Sequence, residues 1–323
     1  MPPQSDAARW PALPYAAWRD TCETLHLWTQ VAGKVRLALT PWLNHSWHVT
    51  LHVTTRGLGT PPIAYQGRYF TIEFDFIDHV LWLRTSDGHF RQLMLKPMTV
   101  AEFYADVMVA LREIGIDVRI NEMPNEIPGA VPFPDDRTHA SYDRDFAQKF
   151  WRVLLSSHEV FSHFRTGFLG KVSPVHFFWG SFDLAVTRFS GRPAPPHPGG
   201  VPGLPDAVTR EAYSHEVASA GFWPGNDAFP RAAFYAYAYP EPAGFRDRIV
   251  TPGARFEPAL GEFILPYETV RAAPDPDALL LDFLATTYAA AADAGGWDRA
   301  ALECPLGVPG QPRPVLGCLA GRR

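Results

Sequence analysis

The chain has 323 residues, of which 46% are hydrophobic and 13% aromatic, so it can bury a large core and is not of the disordered class. Its net charge is −5 without a cluster of lysine and arginine, which excludes an extended nucleic-acid-binding surface. Its three cysteines lack CxxC spacing, so no disulfide framework or thiolate metal site is indicated. The N-terminal segment has no apolar signal core and no stretch of about 18 apolar residues follows, so we expect a cytoplasmic protein without a membrane partner.

The first half of the chain is predicted to form a helix, a run of antiparallel strands and a closing helix. Apolar and aromatic residues recur every three or four positions over residues 16–32, as on one face of an amphipathic helix. Strict alternation of apolar and polar residues predicts a strand over residues 46–55, and the Ser-Asp-Gly sequence at 86–88 predicts a hairpin turn. The closing helix is expected over residues 99–115, where Thr99 begins a capping box.

A linker separates this half from a second run of similar elements. Residues 121–142 contain four prolines, each of which disfavours helix at the residue before it. A long helix with a wide apolar face is predicted over residues 143–168, and strands follow it. The segment 191–208, rich in proline and glycine, is interpreted as an ordered surface loop or a mobile flap. Disorder is expected from residue 304 onward.

The two halves repeat the same order of elements, which we interpret as an internal duplication. The matching strands are 70–76 with 213–222, 79–85 with 232–239, and 90–95 with 262–267. The predicted fold class is α+β, with mainly antiparallel sheets covered by helices. The predicted parts are a first repeat at 10–120, a linker at 121–142, a second repeat at 143–303 and a tail at 304–323. Whether the two repeats pack as one domain stays open.

Candidate catalytic side chains concentrate in two blocks of the second half, at residues 173–192 and 213–225. Neighbouring strands in a sheet bring side chains to within about 5 Å, so a carboxylate on one strand can orient a histidine on the next for proton transfer. We therefore predict His215 as the proton-transfer group, with Asp183 or Glu216 orienting it. Alternation sends His215 and Glu216 to opposite faces, and the alternative is that these groups form an ion pair holding the strands together.

The same blocks contain candidate ligand-binding side chains. Arginine presents a fork of donors that suits a carboxylate or phosphate, so Arg188 and Arg192 are predicted to hold an anionic group. His176, Trp179 and Trp223 are predicted to complete an aromatic pocket beside them. The alternative readings are solvated charges at the rim and ordinary core aromatics.

No cofactor is predicted, because the chain lacks the sequence motifs of dinucleotide binding, P-loops, nucleophile elbows and zincin sites. His48 and His52 share a strand face but would lie about 13 Å apart, too far to bind one ion. A divalent metal would need one of these histidines together with Glu73 or Asp75 from the neighbouring strand. This arrangement is kept as a minor alternative.

Several long blocks of the chain resemble a bacterial family catalogued as a domain of unknown function, DUF5996. The similar blocks are WPALPYAAWRDT, NHSWHVTLHVTTRGL, FTIEFDFIDHVL, SPVHFFWGSFDLAVTRFSGR, YSHEVASAGFWPG, GEFILPYE and GGWDRAALE. They occur in order over about residues 10–303. The resemblance implies one intact unit and carries no activity and no catalytic residue.

Two classes of function therefore follow from the sequence. The first is an enzyme, with acid/base chemistry on a small anionic or aromatic metabolite at a site in the second repeat. The second is a non-catalytic ligand-binding or assembly protein, in which the same polar residues are structural. The oligomeric state stays open.

Overall fold

The computed structural model describes residues 9–313 and has an α+β fold with two six-stranded antiparallel sheets, one from each half of the chain. Its helices are α1 (Tyr15–Leu39), α2 (Val100–Glu113), α3 (Arg144–Thr166), α4 (Asp206–Ala212), α5 (Tyr267–Arg271), α6 (Pro276–Ala294) and α7 (Arg299–Leu302). None of these helices is long and apolar enough for a membrane crossing.

The first sheet has the strand order β1-β2-β4-β5-β6, with β3 paired to β4. Its strands are β1 (His52–Val53), β2 (Gly57–Gly59), β3 (Ile63–Tyr65), β4 (Arg68–Asp75), β5 (Val80–Thr85) and β6 (Phe90–Met94). The predicted hairpin joins β5 to β6, with Gly88 at φ 89°, a conformation that glycine adopts without strain. The predicted capping box also forms at the start of α2, where Thr99 and Glu102 bond each other's backbone amides.

The second sheet has the strand order β11-β12-β10-β9-β8-β7. Its strands are β7 (His176–Phe178), β8 (Asp183–Pro193), β9 (His215–Trp223), β10 (Ala233–Tyr239), β11 (Arg255–Glu257) and β12 (Glu262–Pro266). Alternate residues such as Val186, Phe222 and Phe234 are buried on one face, on which α3 and α6 pack. The opposite face carries hydroxyl groups, among them those of Thr187, Ser219 and Tyr237.

The two sheets meet at their edges. Leu51, next to β1, and Phe177 of β7 exchange two backbone hydrogen bonds of 2.8 Å. One hydrophobic cluster continues through both halves, and in it Trp28 of α1 stacks on Phe103 of α2 at 4.6 Å. The second half therefore packs directly against the first.

The predicted strand over residues 46–55 is wrong for most of its length. Only His52 and Val53 form a strand, because the chain turns through a short 3-10 helix at Asn44–Ser46. His45 and Ser46 have φ of 59° and 58°, which breaks extended geometry. The turn carries the following residues toward the second sheet, where Trp47 packs on Phe189.

Three irregular segments differ in detail from their predictions. The linker contains one turn of 3-10 helix at Phe133–Asp135, and the segment 191–208 begins inside β8 and ends inside α4. The prediction of disorder from residue 304 is not met by residues 304–313. This segment begins beside the C-terminal end of α3, where the backbone amide of Cys304 donates to the Gly167 carbonyl at 3.2 Å. The rest of the predicted tail, 314–323, lies outside the described residues.

Candidate functional site

The polar face of the second sheet is the floor of a cavity. On β8, β9 and β10 the residues that point away from α3 and α6 include Thr187, Ser219 and Tyr237. This first cavity has a volume of about 480 Å³, which is in the range of small-molecule sites. Thr187 and Ser219 share a 2.9 Å hydrogen bond between strands, so the floor presents hydroxyl groups to the cavity.

Both halves of the chain supply the walls of the first cavity. Lys34 and Leu37 of α1 line one side, the linker lines another, and α4 with its preceding loop lines a third. The aromatic members of the lining are Trp42, Trp47, Phe178, Trp179, Phe189, Tyr213, Tyr235 and Tyr237. The cavity is therefore formed where the halves meet, and its rings suit a flat organic molecule.

A second cavity of about 860 Å³ adjoins the first. The two share the lining residues Glu126, Gly180, Ser181, Tyr213, Tyr235 and Tyr237. Carboxyl groups are frequent in the lining of the second cavity, which includes Glu23, Glu126, Asp136, Asp183, Asp227 and Glu262. Such a wall favours ligand groups that donate hydrogen bonds or carry positive charge.

Asp183 is buried at the boundary between the cavities. It accepts hydrogen bonds from the hydroxyl groups of Ser181 and Tyr235. Burial raises the pKa of Asp183, and these two hydrogen bonds act in the opposite direction. Tyr235 reaches Asp183 by crossing Gly221 of β9, where a Cβ atom would lie 2.4 Å from the tyrosine oxygen. A glycine inside the strand therefore makes the contact possible.

Glu126 of the linker and Glu262 of β12 complete a group of three carboxyls. Burial, followed by the charge of Asp183, raises the pKa of Glu126 to about 7 and that of Glu262 to about 8. Neither glutamate forms an ion pair with a basic side chain in the part of the chain that the structure describes. Near neutral pH the group is therefore partly protonated, and its members are suited both to donate and to accept a proton.

These raised pKa values predict a stability that falls as pH rises. The folded protein keeps protons that the unfolded chain loses above about pH 4.5, so stability falls as the pH rises from about 4.5 and levels off above the folded pKa values of about 7 and about 8. Replacing Glu262→Gln should make the protein more stable at pH 9 by on the order of 2 kcal/mol, a value reduced from full linkage because the carboxyl faces a cavity. Urea unfolding at pH 5 and pH 9 measures it.

The control for this experiment is Glu113→Gln, because Glu113 is an exposed carboxylate that pairs with Arg91 on the first sheet. It should leave the difference between the two pH values unchanged. At pH 5 the Glu262→Gln protein should match the wild type. An equal gain from Glu262→Gln at both pH values would contradict a proton held by Glu262 in the folded state.

Phenolic groups surround the carboxyls. The hydroxyls of Tyr213 and Tyr237 lie 2.8 Å apart, and burial raises the pKa of Tyr213 to about 12 and the pKa of Tyr237 well above its usual range. These phenols stay protonated at physiological pH and remain hydrogen-bond donors. Thr209 lines the first cavity with a buried hydroxyl that has no partner among residues 9–313.

Strained backbone occurs around both cavities. Among the described residues, six non-glycine residues have positive φ, and four of them line a cavity: His45, Ser46, Glu126 and Phe182, the last two at φ 61°. Such conformations cost on the order of 1–3 kcal/mol and concentrate where a site must be held in one geometry. The strain at Glu126 is thus a reason to regard the linker as part of the site.

The family comparison agrees with the extent of this unit. The model of a family of unknown function, DUF5996, matches residues 10–304. The chain belongs to this family. No curated protein and no solved structure matches it. Family membership therefore supplies no activity, and the roles of residues have to be argued from the geometry.

In this DUF5996 protein, Asp183 and His215 do not meet. Leu184 pairs with Phe222 at one end of the β8–β9 ladder, whereas Pro193 pairs with His215 at the other end. At about 3.3 Å per residue, Asp183 and His215 are roughly 30 Å apart. The predicted pairing of the two is wrong, because antiparallel register places late residues of β8 beside early residues of β9.

Glu216 forms an ion pair with Arg192 at 2.7 Å. Arg192 also donates to the carbonyls of Gly295 and Gly296 at the end of α6, at 2.6 and 3.3 Å. These contacts tie β8 and β9 to the helix and lie outside the lining of both cavities. The anion-binding role predicted for Arg192 and the catalytic role predicted for Glu216 are not supported by this position.

Arg188 points to the helical side of the sheet. Its guanidinium lies 3.5 Å from the ring centroid of Phe164 and 4.4 Å from that of Tyr288, and it donates to the Phe164 carbonyl at 2.5 Å. Burial lowers the pKa of Arg188 to about 10. The prediction that Arg188 holds a ligand is wrong, because the residue is only 4% exposed and lies on the face opposite the cavity.

The three predicted pocket residues have different positions. Trp179 lines the first cavity and donates to the Val49 carbonyl at 2.7 Å. Trp223 lines the second cavity and stacks on Phe229. His176 is buried behind them and lines neither cavity, and burial lowers its pKa to about 3. The structure thus brings Trp179, Trp223 and Asp183 around two joined cavities.

The described part of the chain contains no set of side chains arranged to bind a metal ion. Residues 9–313 contain no group of three or more His, Cys, Asp or Glu side chains placed to hold an ion. Asp75, a ligand in the minor alternative, forms an ion pair with Arg56. His48 instead packs its ring against Trp42.

Sequence reasoning missed Lys34, Glu126, Tyr235 and Glu262. The alternation Ala-Phe-Tyr-Ala-Tyr-Ala-Tyr in β10 was a usable signal, because it places three phenols on one face of a strand. Glu126 and Lys34 gave no such signal. One lies in a linker and the other on a helix, and only the packing of the halves brings them to the cavity.

Proposed function

We propose that this protein binds a small organic molecule in the first cavity and that its carboxyl group cluster (Glu126, Asp183, Glu262) exchanges a proton with that molecule. The observation that carries the proposal is a cavity of about 480 Å³ beside carboxyls whose pKa values lie near neutrality. Groups that titrate near the working pH are the effective general acids and bases. Strongly perturbed carboxyls in a concave site are also typical of catalytic positions.

The lining defines a class of ligand. Tryptophan and tyrosine rings favour an aromatic or otherwise flat body, whereas the carboxyls and the hydroxyl floor favour neutral or positively charged groups that donate hydrogen bonds. An anionic ligand has less support, because Arg188 and Arg192 lie elsewhere. The unpartnered Thr209 hydroxyl offers a further polar contact.

The roles of the carboxyls follow from their surroundings. Glu126, with a pKa of about 7, is the group that takes up or gives up the proton. Asp183 is held by hydrogen bonds from Ser181 and Tyr235, and its charge is the second cause, after burial, that raises the pKa values of Glu126 and Glu262. Glu262, with a pKa of about 8, is mostly protonated at pH 7 and acts as a donor.

We also infer that the two halves descend from one duplicated unit. In each half a long helix, α1 or α3, precedes an antiparallel sheet that a further helix, α2 or α6, follows. On this inference the second half kept the polar sheet face, and the first half came to supply one wall of the cavity. The alternative function, non-catalytic binding, differs in predicting a bound ligand that is released unchanged.

A cavity-filling substitution tests the proposal. Ala185 points into the first cavity from β8, so Ala185→Phe should occupy the ligand space. In a thermal-shift screen of aromatic and amine metabolites, some ligands are expected to raise the melting temperature of the wild type. For these ligands, the apparent affinity of Ala185→Phe should be at least about tenfold lower than that of the wild type. Compounds that bind are then assayed for proton exchange by mass spectrometry in deuterated buffer.

The matched control is Val109→Phe, which adds a ring on the exposed side of α2 away from the cavities. It should bind every ligand as the wild type does. Equal ligand shifts in Ala185→Phe and the wild type would rule the first cavity out. If a ligand binds but none of its protons exchanges with the solvent, the proposed proton transfer is wrong and the protein only binds its ligand.

A further inference from the structure

Lys34 has an unusual environment for a lysine. Its residue is 3% exposed, it lines the first cavity, and no carboxylate among residues 9–313 lies within ion-pair distance of its amine. The amine donates a short hydrogen bond to the side-chain oxygen of Asn125. A buried ammonium without a counter-charge is costly, so burial shifts the protonation equilibrium toward the neutral amine.

The neutral form is accessible at physiological pH. Burial lowers the pKa of Lys34 to about 8, whereas an ordinary lysine titrates near about 10.4. At pH 7.5 roughly a quarter of the Lys34 amines are thus unprotonated, against about one in a thousand for an ordinary lysine. A desolvated lysine of this kind is the usual nucleophile toward carbonyl groups.

Two contacts fix the position of the amine. The backbone of Asn125 is held by Gln30, which accepts from its amide at 2.8 Å and donates to its carbonyl at 2.9 Å. The indole of Trp179 packs against Gly33, where a Cβ atom would lie 2.2 Å from the indole nitrogen. The Lys34 amine is therefore held between a fixed amide oxygen and a fixed aromatic ring, 5.9 Å from the ring centroid.

We propose that Lys34 forms an imine with an aldehyde or ketone bound in the first cavity. This inference rests on the proposed ligand site and names the substrate class as carbonyl compounds. The amine lone pair adds to the carbonyl carbon, and the carbonyl oxygen takes a proton from the Glu126 carboxylic acid. The nitrogen then gives a proton to the Glu126 carboxylate, and Glu126 passes that proton to the hydroxyl, which leaves as water as the protonated C=N bond forms.

The imine links Lys34 to the carboxyl group cluster. A protonated imine draws electrons from its neighbouring carbon, so a proton on that carbon can pass to the carboxylate of Glu126. Addition of water to the C=N bond returns the amine and the carbonyl product. No oxidant or reductant takes part. Each proton that Glu126 gives to the bound compound returns to Glu126 in a later step.

The small number of lysines makes the test direct. The chain has four, Lys34, Lys96, Lys149 and Lys171, so a trapped adduct can be assigned by peptide mass mapping. Benzaldehyde or propanal with sodium cyanoborohydride at pH 7.5 reduces an imine to a stable secondary amine. We expect Lys34 to be labelled at least about tenfold faster than Lys96 and Lys149, because its pKa is lowered and it lines the cavity that holds the aldehyde. Labelling of Lys34 at their rate would overturn the inference.

Lys171 is the matched internal control. Burial also lowers its pKa, but its amine lies 2.6 Å from Nε2 of His45 and does not line the first cavity. If Lys34 labelling requires the cavity, Ala185→Phe should slow it at least about tenfold and leave Lys171 unchanged. Equal slowing of both, or of neither, would overturn the assignment to the cavity.

The variant Lys34→Arg separates this inference from a structural role. Arginine keeps a donor for Asn125 but forms no imine, so it should remain folded and lose only the reaction at this position. If non-carbonyl ligands still shift the wild type while Lys34 is not trapped, the imine inference fails and the ligand site stands. Fast trapping at Lys34 without any proton exchange on the ligand would support the imine and remove the proposed role of the carboxyls.

Discussion

Replacing Gly221→Ala should destabilise the protein by about 2–3 kcal/mol and disconnect Tyr235 from Asp183. The added Cβ atom would lie 2.4 Å from the Leu184 carbonyl oxygen and equally close to the Tyr235 hydroxyl. The carbonyl belongs to a central strand pair and cannot swing aside, so β8 and β9 must separate. The free energy of urea unfolding measures the cost.

A second glycine provides the control for this substitution. Gly59 also lies in a strand, but a Cβ atom there would approach its neighbours no closer than 3.3 Å. Gly59→Ala should therefore cost less than about 1 kcal/mol.

Because Tyr235 can no longer reach Asp183, the Gly221→Ala protein should also lose ligand binding at temperatures where it remains folded. Full stability of Gly221→Ala would contradict the crossing of Tyr235 over β9.

Replacing Arg188→Ala should cost about 3 kcal/mol of folding free energy without abolishing ligand binding. The guanidinium fills the space between Phe164, Phe168 and Tyr288, at 3.5, 4.9 and 4.4 Å from their ring centroids. Alanine removes these contacts, leaves a void and frees the Phe164 carbonyl that Arg188 bonds. Unfolding in urea gives the stability, and the thermal-shift screen gives the binding.

The comparison with Arg188→Met shows which part of the side chain stabilises the protein. Methionine fills much of the same volume without a buried charge, so we expect it to recover at least half of the loss. If Arg188→Met is as unstable as Arg188→Ala, the charge and its hydrogen bond are responsible. If the Arg188→Ala protein is as stable as the wild type but no longer binds ligands, Arg188 belongs to the binding site after all.

The local elements follow from the sequence because their signals are local. The capping box at Thr99, the hairpin glycine at Gly88 and the long amphipathic helices act through residues three or four positions apart. The alternation of β9 and β10 likewise fixes which residues share a sheet face. These features gave the α+β class and the antiparallel pairing of the strands, but not whether the strands form one sheet or two.

The strand predicted over residues 46–55 shows where such signals fail. Its alternation is regular, but His45 and Ser46 adopt left-handed backbone, and the chain joins the second sheet through Leu51 and Phe177. The packing between the halves outweighs a local preference that amounts to at most about 1 kcal/mol per residue. No pattern within ten residues contains that information.

The site was predicted only in part, for a related reason. The sequence alone pointed to Asp183, Trp179 and Trp223, because polar and aromatic residues stand out on a strand face. Its pairing of Asp183 with His215 is wrong. The register between β8 and β9 depends on the loop that joins the two strands and on the bulge within β8, and neither can be read from the alternation of residues.

Most helices and strands, the alternation along β9 and β10 and the overall class were therefore determined by the sequence itself, through short-range geometry. Only the tertiary structure decided that Lys34 of α1 lines the first cavity and that Glu126 of the linker lines the second cavity together with Asp183 and Glu262. Their pKa values depend on how much water and which charges the folded chain leaves around them. That environment is a property of contacts between residues about 100 positions apart, so it is absent from every local pattern.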